Sequence, residues 1–243
     1  MKKLAIIPAR YHSSRFPGKP LIDLDGKSMI QHVYDGVQRS GLFDTVVVAT
    51  DHDKIKSHVE AFEGNVVMTH SEHRSGTDRC GEVIETYDNY EIVVNIQGDE
   101  PLVDAQQLQQ LLKSFDDEQV EIATLGIATH DKSVMENPNR VKIVCDFAGN
   151  ALYFSRSPIP YEKEATQKPF LKHIGLYGFR KTTLKKLVVL PPGDLEQTES
   201  LEQLRWLFHG YSIRVTETNI ETPNIDVPED VAVVLNELRK KKE

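Results

Sequence analysis

Leu4-Ala5-Ile6-Ile7-Pro8-Ala9-Arg10-Tyr11-His12-Ser13-Ser14-Arg15-Phe16-Pro17-Gly18-Lys19-Pro20 is an unbroken apolar run that opens into a loop carrying three cations. A short continuous apolar run suits a strand covered on both faces, and such strands belong to parallel sheets with helices on either side. In the loop, Arg10, Arg15 and Lys19 are joined by Ser13, Ser14 and Gly18, which add hydroxyls and accessible backbone N–H groups. Guanidinium and ammonium groups offset the charge of a polyphosphate while backbone donors bind its oxygens. A solvated basic turn is the plainer reading. Three cations held under Gly and Pro constraints at a first strand end argue against it.

Working outward, strand-like and helix-like segments alternate. Thr45 to Ala49, Asn65 to Met68 and Glu91 to Ile96 read as further strands. Ser28 to Val37, Ile55 to Phe62 and Gly76 to Tyr87 read as the helices between them. Repeated βαβ units favour a mostly parallel central sheet flanked by helices. In the C-terminal half, Glu121 to Ala128, Val141 to Cys145, Ala151 to Phe154 and Lys172 to Phe179 are strand-like with few helices between, which predicts antiparallel additions. Leu195 to Phe208 and Pro228 to Lys240 read as helices, the second with Pro in its first turn. With no repeat or long linker, residues 1–243 are expected to form a single α/β domain.

Composition narrows the function. With 29 basic against 37 acidic residues the net charge is −8, which argues against coating a nucleic-acid backbone. No apolar run approaches the roughly 20 residues needed to cross a bilayer, so no membrane insertion is expected. Cys80 and Cys145 make no disulfide framework and have no metal-type spacing, so both are expected to be buried thiols in a reducing cytoplasm. The run Arg239 to Lys242 is expected to complement the dipole of the last helix.

Ligands of open α/β sheets sit beyond the carboxyl ends of the strands, so the polar residues there are the first candidates for chemistry. Gln97-Gly98-Asp99-Glu100-Pro101 follows a buried strand, and a carboxylate at that point can hold Mg²⁺ against phosphate oxygens. Asn224-Ile225-Asp226-Val227-Pro228-Glu229-Asp230 offers a second carboxylate, although Asp226 taken singly reads as a helix N-cap. In His73-Arg74-Ser75-Gly76-Thr77-Asp78-Arg79, Ser75 or Thr77 can cap a helix, and the backbone N–H groups with Arg74 or Arg79 can hold a base or ribose. His70 and His73 lack a third ligand nearby and read as non-metal histidines. Gly26-Lys27-Ser28 imitates the end of a Walker A loop, but Leu21 stands where its first Gly belongs, so Lys27 and Ser28 are assigned to a helix start. No G-x-G-x-x-G supports dinucleotide chemistry.

Taken together these segments resemble the 3-deoxy-manno-octulosonate (KDO) cytidylyltransferase family. The resemblance continues through Ala151 to Arg156, Lys172-His173-Ile174-Gly175, Leu201 to Arg205 and Asp226 to Asp230, nearly the whole length. It implies a nucleotidyltransferase fold and a homodimer that activates KDO with CTP, giving CMP-KDO and pyrophosphate for lipopolysaccharide synthesis. It places Arg10, Ser14, Arg15 and Lys19 on the CTP phosphates, with Ala49, Thr50, Asp51, Ser75, Thr77, Arg79 and Gln97 around cytosine and ribose. Asp99 and Asp226 match the Mg²⁺ carboxylates, and Arg10, Lys19, Asp99 and Asp226 form the catalytic set. Arg156, His173, Tyr177, Glu202 and Gln203 fall where the family binds the acid sugar. The chain departs from the family's Gly-x-Asp-Thr-Pro-Glu-Asp at Asn224 and Val227 but keeps Asp226.

Rival readings are an 8-amino analogue of KDO or a sialic acid as substrate, a hexose-1-phosphate nucleotidyltransferase, and a non-catalytic nucleotide-binding protein. The last is expected to have lost a metal carboxylate or a loop cation, and none is lost here.

Overall fold

The computed structural model describes residues 1–12, 16–163 and 168–240. Along the chain the elements are β1 (Lys3–Ala9), β2 (Asp23–Leu24), β3 (Lys27–Ser28), α1 (Met29–Ser40), β4 (Thr45–Thr50), α2 (Asp53–Ala61), β5 (Val66–Met68), α3 (Gly76–Val83), β6 (Ile92–Asn95) and α4 (Ala105–Lys113). They continue with β7 (Ile122–Thr129), α5 (Lys132–Glu136), β8 (Lys142–Cys145), β9 (Ala151–Ser155) and β10 (Phe170–Arg180). The last are α6 (Lys181–Leu187), α7 (Asp194–Glu199), α8 (Gln203–Phe208), β11 (Arg214–Thr218) and α9 (Asp230–Lys240). Two compact units result, Met1–Gln109 with Thr222–Glu243, and Gln110–Glu221.

The first unit is a parallel α/β sheet in the order β6-β1-β4-β5. Its strands are the apolar runs read from the sequence: Leu4 to Ile7, Val47 to Ala49, Val93 and Val94 are fully buried. Fully burying such a side chain stabilises by about 1.5–3 kcal/mol, so covering both faces with helices is what the composition of these strands demands. Helix α1 starts at Ser28, whose hydroxyl accepts the Gln31 N–H at 3.2 Å, and stops at Gly41, whose φ of 64° suits Gly. Helix α9 packs Val234 and Leu238 against Leu24, Met29, Leu102 and Ile225.

The second unit is mixed. β10 runs antiparallel to β7 and β8, and β8 to β9, as expected, while β11 adds to β7 in parallel. Its core includes Trp206, with the Tyr177 and Phe179 rings edge-on to it at 5.2 and 5.3 Å.

Several boundaries differ from the sequence reading. The helix expected over Leu195 to Phe208 is two, α7 and α8, because Ser200 takes a left-handed φ of 52° that ends the first. The helix expected to begin at Pro228 begins at Asp230, whose carboxylate accepts the Asp226 and Val227 N–H groups at 2.8 and 3.0 Å. The helix over Gly76 to Tyr87 stops at Val83. Lys27 lies in the short strand β3, not in a helix start. Helices α4, α5 and α6 and strand β11 had no counterpart in the sequence reading; α4 carries only Leu108, Leu111 and Leu112 as its buried leucines within a Gln-rich stretch. Cys80 is buried, but Cys145 is half-buried. No helix among the described residues is long and apolar enough to cross a membrane.

Candidate active site

The loop leaving β1 folds back on itself. The Gly18 N–H donates to the Tyr11 carbonyl at 2.9 Å, and Gly18, at φ 72°, starts a tight turn over Lys19–Leu21. This return delivers the Lys19 side chain to the two acidic loops. Lys19 Nζ donates to Asp99 Oδ2 at 2.8 Å and to the Ile225 carbonyl at 2.6 Å, and stands 4.0 Å from Asp226 Oδ1. The Ile225 N–H in turn donates to the Asp99 carbonyl at 3.0 Å, which zips the 224–230 loop onto the end of β6.

Asp226 therefore does not cap a helix, since α9 begins four residues later and the carboxylate turns to Lys19 instead. Its other oxygen accepts from Asn224 Nδ2 at 3.1 Å, so Asn224 steadies the carboxylate. Burial, and then the neighbouring Asp99 charge, push Glu100 up to about 8. Glu100 is thus held protonated at neutral pH and adds no second negative charge beside Asp99.

A cavity of about 180 Å³ opens here, lined among others by Arg10, Lys19, Ser75, Gln97, Asp99 and Asp226, with Arg79 also in its wall. Ser75 caps α3, its hydroxyl accepting the Asp78 N–H at 3.0 Å. Ala49, Thr50, Asp51 and Thr77 are not among the lining residues. Asp51 pairs with the buried Arg79 at 2.8 Å, and Arg79 also donates to Thr69 Oγ1. These two expected nucleotide contacts therefore brace each other across the ends of β4 and α3. Ser14 and Arg15 lie outside the described residues. His12, which no sequence motif marks, also lines the cavity. His70 and His73 both turn to Glu82.

Gly98 is required by close approach: a Cβ there would sit 2.7 Å from the Pro8 carbonyl oxygen, backbone against backbone. Gly98→Ala is expected to cost about 1–3 kcal/mol, read as a fall of several degrees in Tm, and to lower turnover by displacing Asp99. An unchanged melting curve would mean the loop relaxes without strain.

Asp99 and Asp226 converge on one ammonium group, so the same two carboxylates can hold a divalent cation. Two carboxylates completed by substrate phosphate oxygens and water is the donor set Mg²⁺ favours.

In the second unit, His173 and Tyr177 meet, with Glu202 near enough for Tyr177 to feel its charge and Gln203 next to it at the start of α8. The His173 ring lies 5.3 Å from both Phe154 and Tyr177. The Tyr177 hydroxyl and Gln203 Nε2 are buried without a hydrogen-bond partner among the described residues. A buried donor left unsatisfied costs about 1–3 kcal/mol, so such groups at one place fit a polar ligand. Burial, then the Glu202 charge, hold Tyr177 well above the ordinary phenol range. The Thr124 hydroxyl spends its proton on the carbonyls of Leu176 at 2.9 Å and Ile174 at 3.1 Å. It must therefore accept from His173 Nε2, 3.1 Å away, leaving a neutral imidazole whose Nδ1 is an acceptor. Arg156 stands just past β9 and is held by backbone carbonyls of Glu199, Pro138 and Ser200.

Burial pushes His173 down from 6.5 to about 3. The unfolded chain takes up a proton in that window that the folded chain refuses, so stability falls as pH drops below about 6.5, by up to about 1.4 kcal/mol per pH unit. His173→Gln is expected to flatten this slope in urea unfolding between pH 6.5 and 4.5. An unaltered slope would mean the ring titrates normally.

The fold is that of the nucleotidyltransferase class, and a family model described as Cytidylyltransferase matches residues 4–215. The 3-deoxy-manno-octulosonate cytidylyltransferase of Pseudoalteromonas translucida is 44% identical over 253 residues, 99% of each chain. That of Parabacteroides distasonis is 49% identical over 246 residues, 97% of each chain. A solved structure of CMP:2-keto-3-deoxy-manno-octonic acid synthetase complexed with CTP matches with a TM-score of 0.94 at 41% identity, over 99% of this chain and 100% of that one. The chain belongs to the 3-deoxy-manno-octulosonate cytidylyltransferase family. The 4-diphosphocytidyl-2C-methyl-D-erythritol synthase of Anaerococcus prevotii, at 15% identity over 98% of this chain and 99% of that one with a TM-score of 0.64, shares the fold alone.

Proposed function

We propose that the protein transfers a cytidylyl group from CTP to 3-deoxy-D-manno-octulosonate, releasing pyrophosphate. One observation carries the reading: Lys19 Nζ stands between Asp99 and Asp226 in a cavity that Arg10 also lines. The anomeric C2 hydroxyl of the sugar attacks the α-phosphorus in line; a P–O bond forms, the bond to pyrophosphate breaks, and the hydroxyl proton passes to solvent. Negative charge grows on the α-phosphate and the leaving group. Arg10 and Lys19 set fixed positive charge against it, each contact worth a few kcal/mol, about 3–4 by analogy with oxyanion donors. Asp99 and Asp226 would hold Mg²⁺, which when bound supplies Lewis-acid neutralisation of the phosphates. No side-chain base is assigned.

On the sugar side, the orphaned Tyr177 hydroxyl and Gln203 amide supply donors for sugar oxygens, and His173 Nδ1 accepts from a hydroxyl. Arg156 takes the carboxylate, a guanidinium task. The same reading, resting on the family resemblance, makes the working protein a cytoplasmic homodimer in lipopolysaccharide synthesis.

The test is pyrophosphate release with CTP and Mg²⁺, comparing KDO, its 8-amino analogue and N-acetylneuraminate. Release with KDO alone is expected. Preference for another acid sugar would keep the transfer and overturn the sugar assignment, and no release with any would overturn the reading.

A further inference from the structure

Glu199, the last residue of α7, is absorbed by nothing in the chemistry above, yet it touches Arg156 at two places and Ser155 at a third. Its carboxylate accepts the Ser155 hydroxyl at 2.6 Å through Oε1 and the Arg156 backbone N–H at 2.9 Å through Oε2. Its own backbone carbonyl accepts Arg156 Nε at 2.7 Å. The left-handed turn at Ser200 keeps the next carbonyl on the same guanidinium, 3.3 Å from a terminal nitrogen, and Pro138 O takes the other terminal nitrogen at 3.0 Å.

The far side of the Arg156 peptide is held as well. The fully buried Lys142 donates through Nζ to the Arg156 carbonyl and, at 3.1 Å, to the Asn137 carbonyl. Both backbone groups of Arg156 are thus clamped by ionic side chains. Three of the five guanidinium N–H groups go to neutral carbonyls, which leaves one on each terminal nitrogen. Lys142 and Arg156 against Glu199 amount to two positive charges and one negative, a surplus that suits an incoming anion.

We propose that Glu199 is a positioning residue for Arg156: by clasping the Ser155–Arg156 backbone and taking Nε on its own carbonyl, it aims the guanidinium at the acid sugar's carboxylate. The inference rests on the reading that Arg156 binds that carboxylate. Holding a charged group to within a fraction of an ångström matters because small misplacements of a binding group lose large factors in rate and affinity.

Glu199→Ala is expected to raise KM for KDO about tenfold or more, with KM for CTP within about twofold. Glu199→Gln, which can still accept the Arg156 N–H while donating to Ser155 Oγ, should restore most of the loss. Glu199→Asp, charged but one methylene short, should not. The double variant Glu199→Ala, Arg156→Ala should be no worse than Arg156→Ala alone, since one acts through the other. If Glu199→Ala does not fold, Ser155→Ala, which removes one bond to the carboxylate, should give a smaller rise in the same constant.

An unchanged KM for KDO in Glu199→Ala, or equal rises for KDO and CTP, overturns the proposal, provided Arg156→Ala itself raises KM for KDO. If Arg156→Ala leaves that constant unchanged, the sugar-side reading of Arg156 fails instead.

Discussion

Asp99→Ala is expected to abolish turnover, lowering pyrophosphate release with CTP, Mg²⁺ and KDO by about a thousandfold or more, or about 4 kcal/mol of transition-state stabilisation, while leaving the fold intact. The side chain is one of the two carboxylates proposed to hold the divalent cation, and among the described residues it meets Lys19 at 2.8 Å. The contact that ties the loops together comes from its backbone: the Asp99 carbonyl accepts the Ile225 N–H at 3.0 Å, and Ala keeps that carbonyl. Side-chain loss should therefore barely move Tm. Near-normal release would remove Asp99 from the cation site, and a large fall in Tm would assign it a structural role.

Lys19→Met is the second large effect. It is expected to lower kcat/KM by about 10²–10³, because the ammonium faces both the cavity proposed to take the polyphosphate and the carboxylate pair. It should also lower Tm in the absence of divalent cation. Asp99 and Asp226 lie 2.8 and 4.0 Å from Nζ, so removing the ammonium takes away a positive charge that both carboxylates face. Added Mg²⁺ should restore Tm but not kcat/KM. Mg²⁺ that leaves Tm unmoved would separate the two carboxylates from a common cation site, and kcat/KM within threefold of the parent would reduce Lys19 to a structural counter-ion.

These expectations differ in what they probe. Asp99 and Lys19 read the charge balance of one cavity, whereas Gly98 reads the backbone geometry beneath it. The Pro8 carbonyl occupies the space a Cβ would need. His173 reads something else again, a neutral imidazole fixed by a hydroxyl that has already given its proton to two carbonyls. The role proposed for it toward a sugar is that of an acceptor, and a ring that stays uncharged well below neutral pH fits that task.

The parallel α/β unit was legible in the chain itself. Leu4 to Ile7, Val46 to Ala49 and Ile92 to Val94 are apolar without interruption, and only a strand covered on both faces buries every residue of such a run. The loop that follows β1 was legible as a candidate site for the same kind of reason: cations, Gly and Pro cluster at one strand end, where open sheets bind ligands. Pairings between distant segments were not. Nothing local to residues 224–230 tells whether Asp226 caps a helix or turns elsewhere; Lys19, brought 206 residues along the chain to the Ile225 carbonyl, faces its carboxylate in place of a helix end. The break at Ser200, the pairing of Asp51 with Arg79 and the grip of Glu199 on Arg156 are of this kind. Periodicity and composition report how a segment meets water and the core, a property each residue carries alone. Which carboxylate meets which cation depends on where the whole chain places their backbones, and that is settled only when the tertiary structure closes.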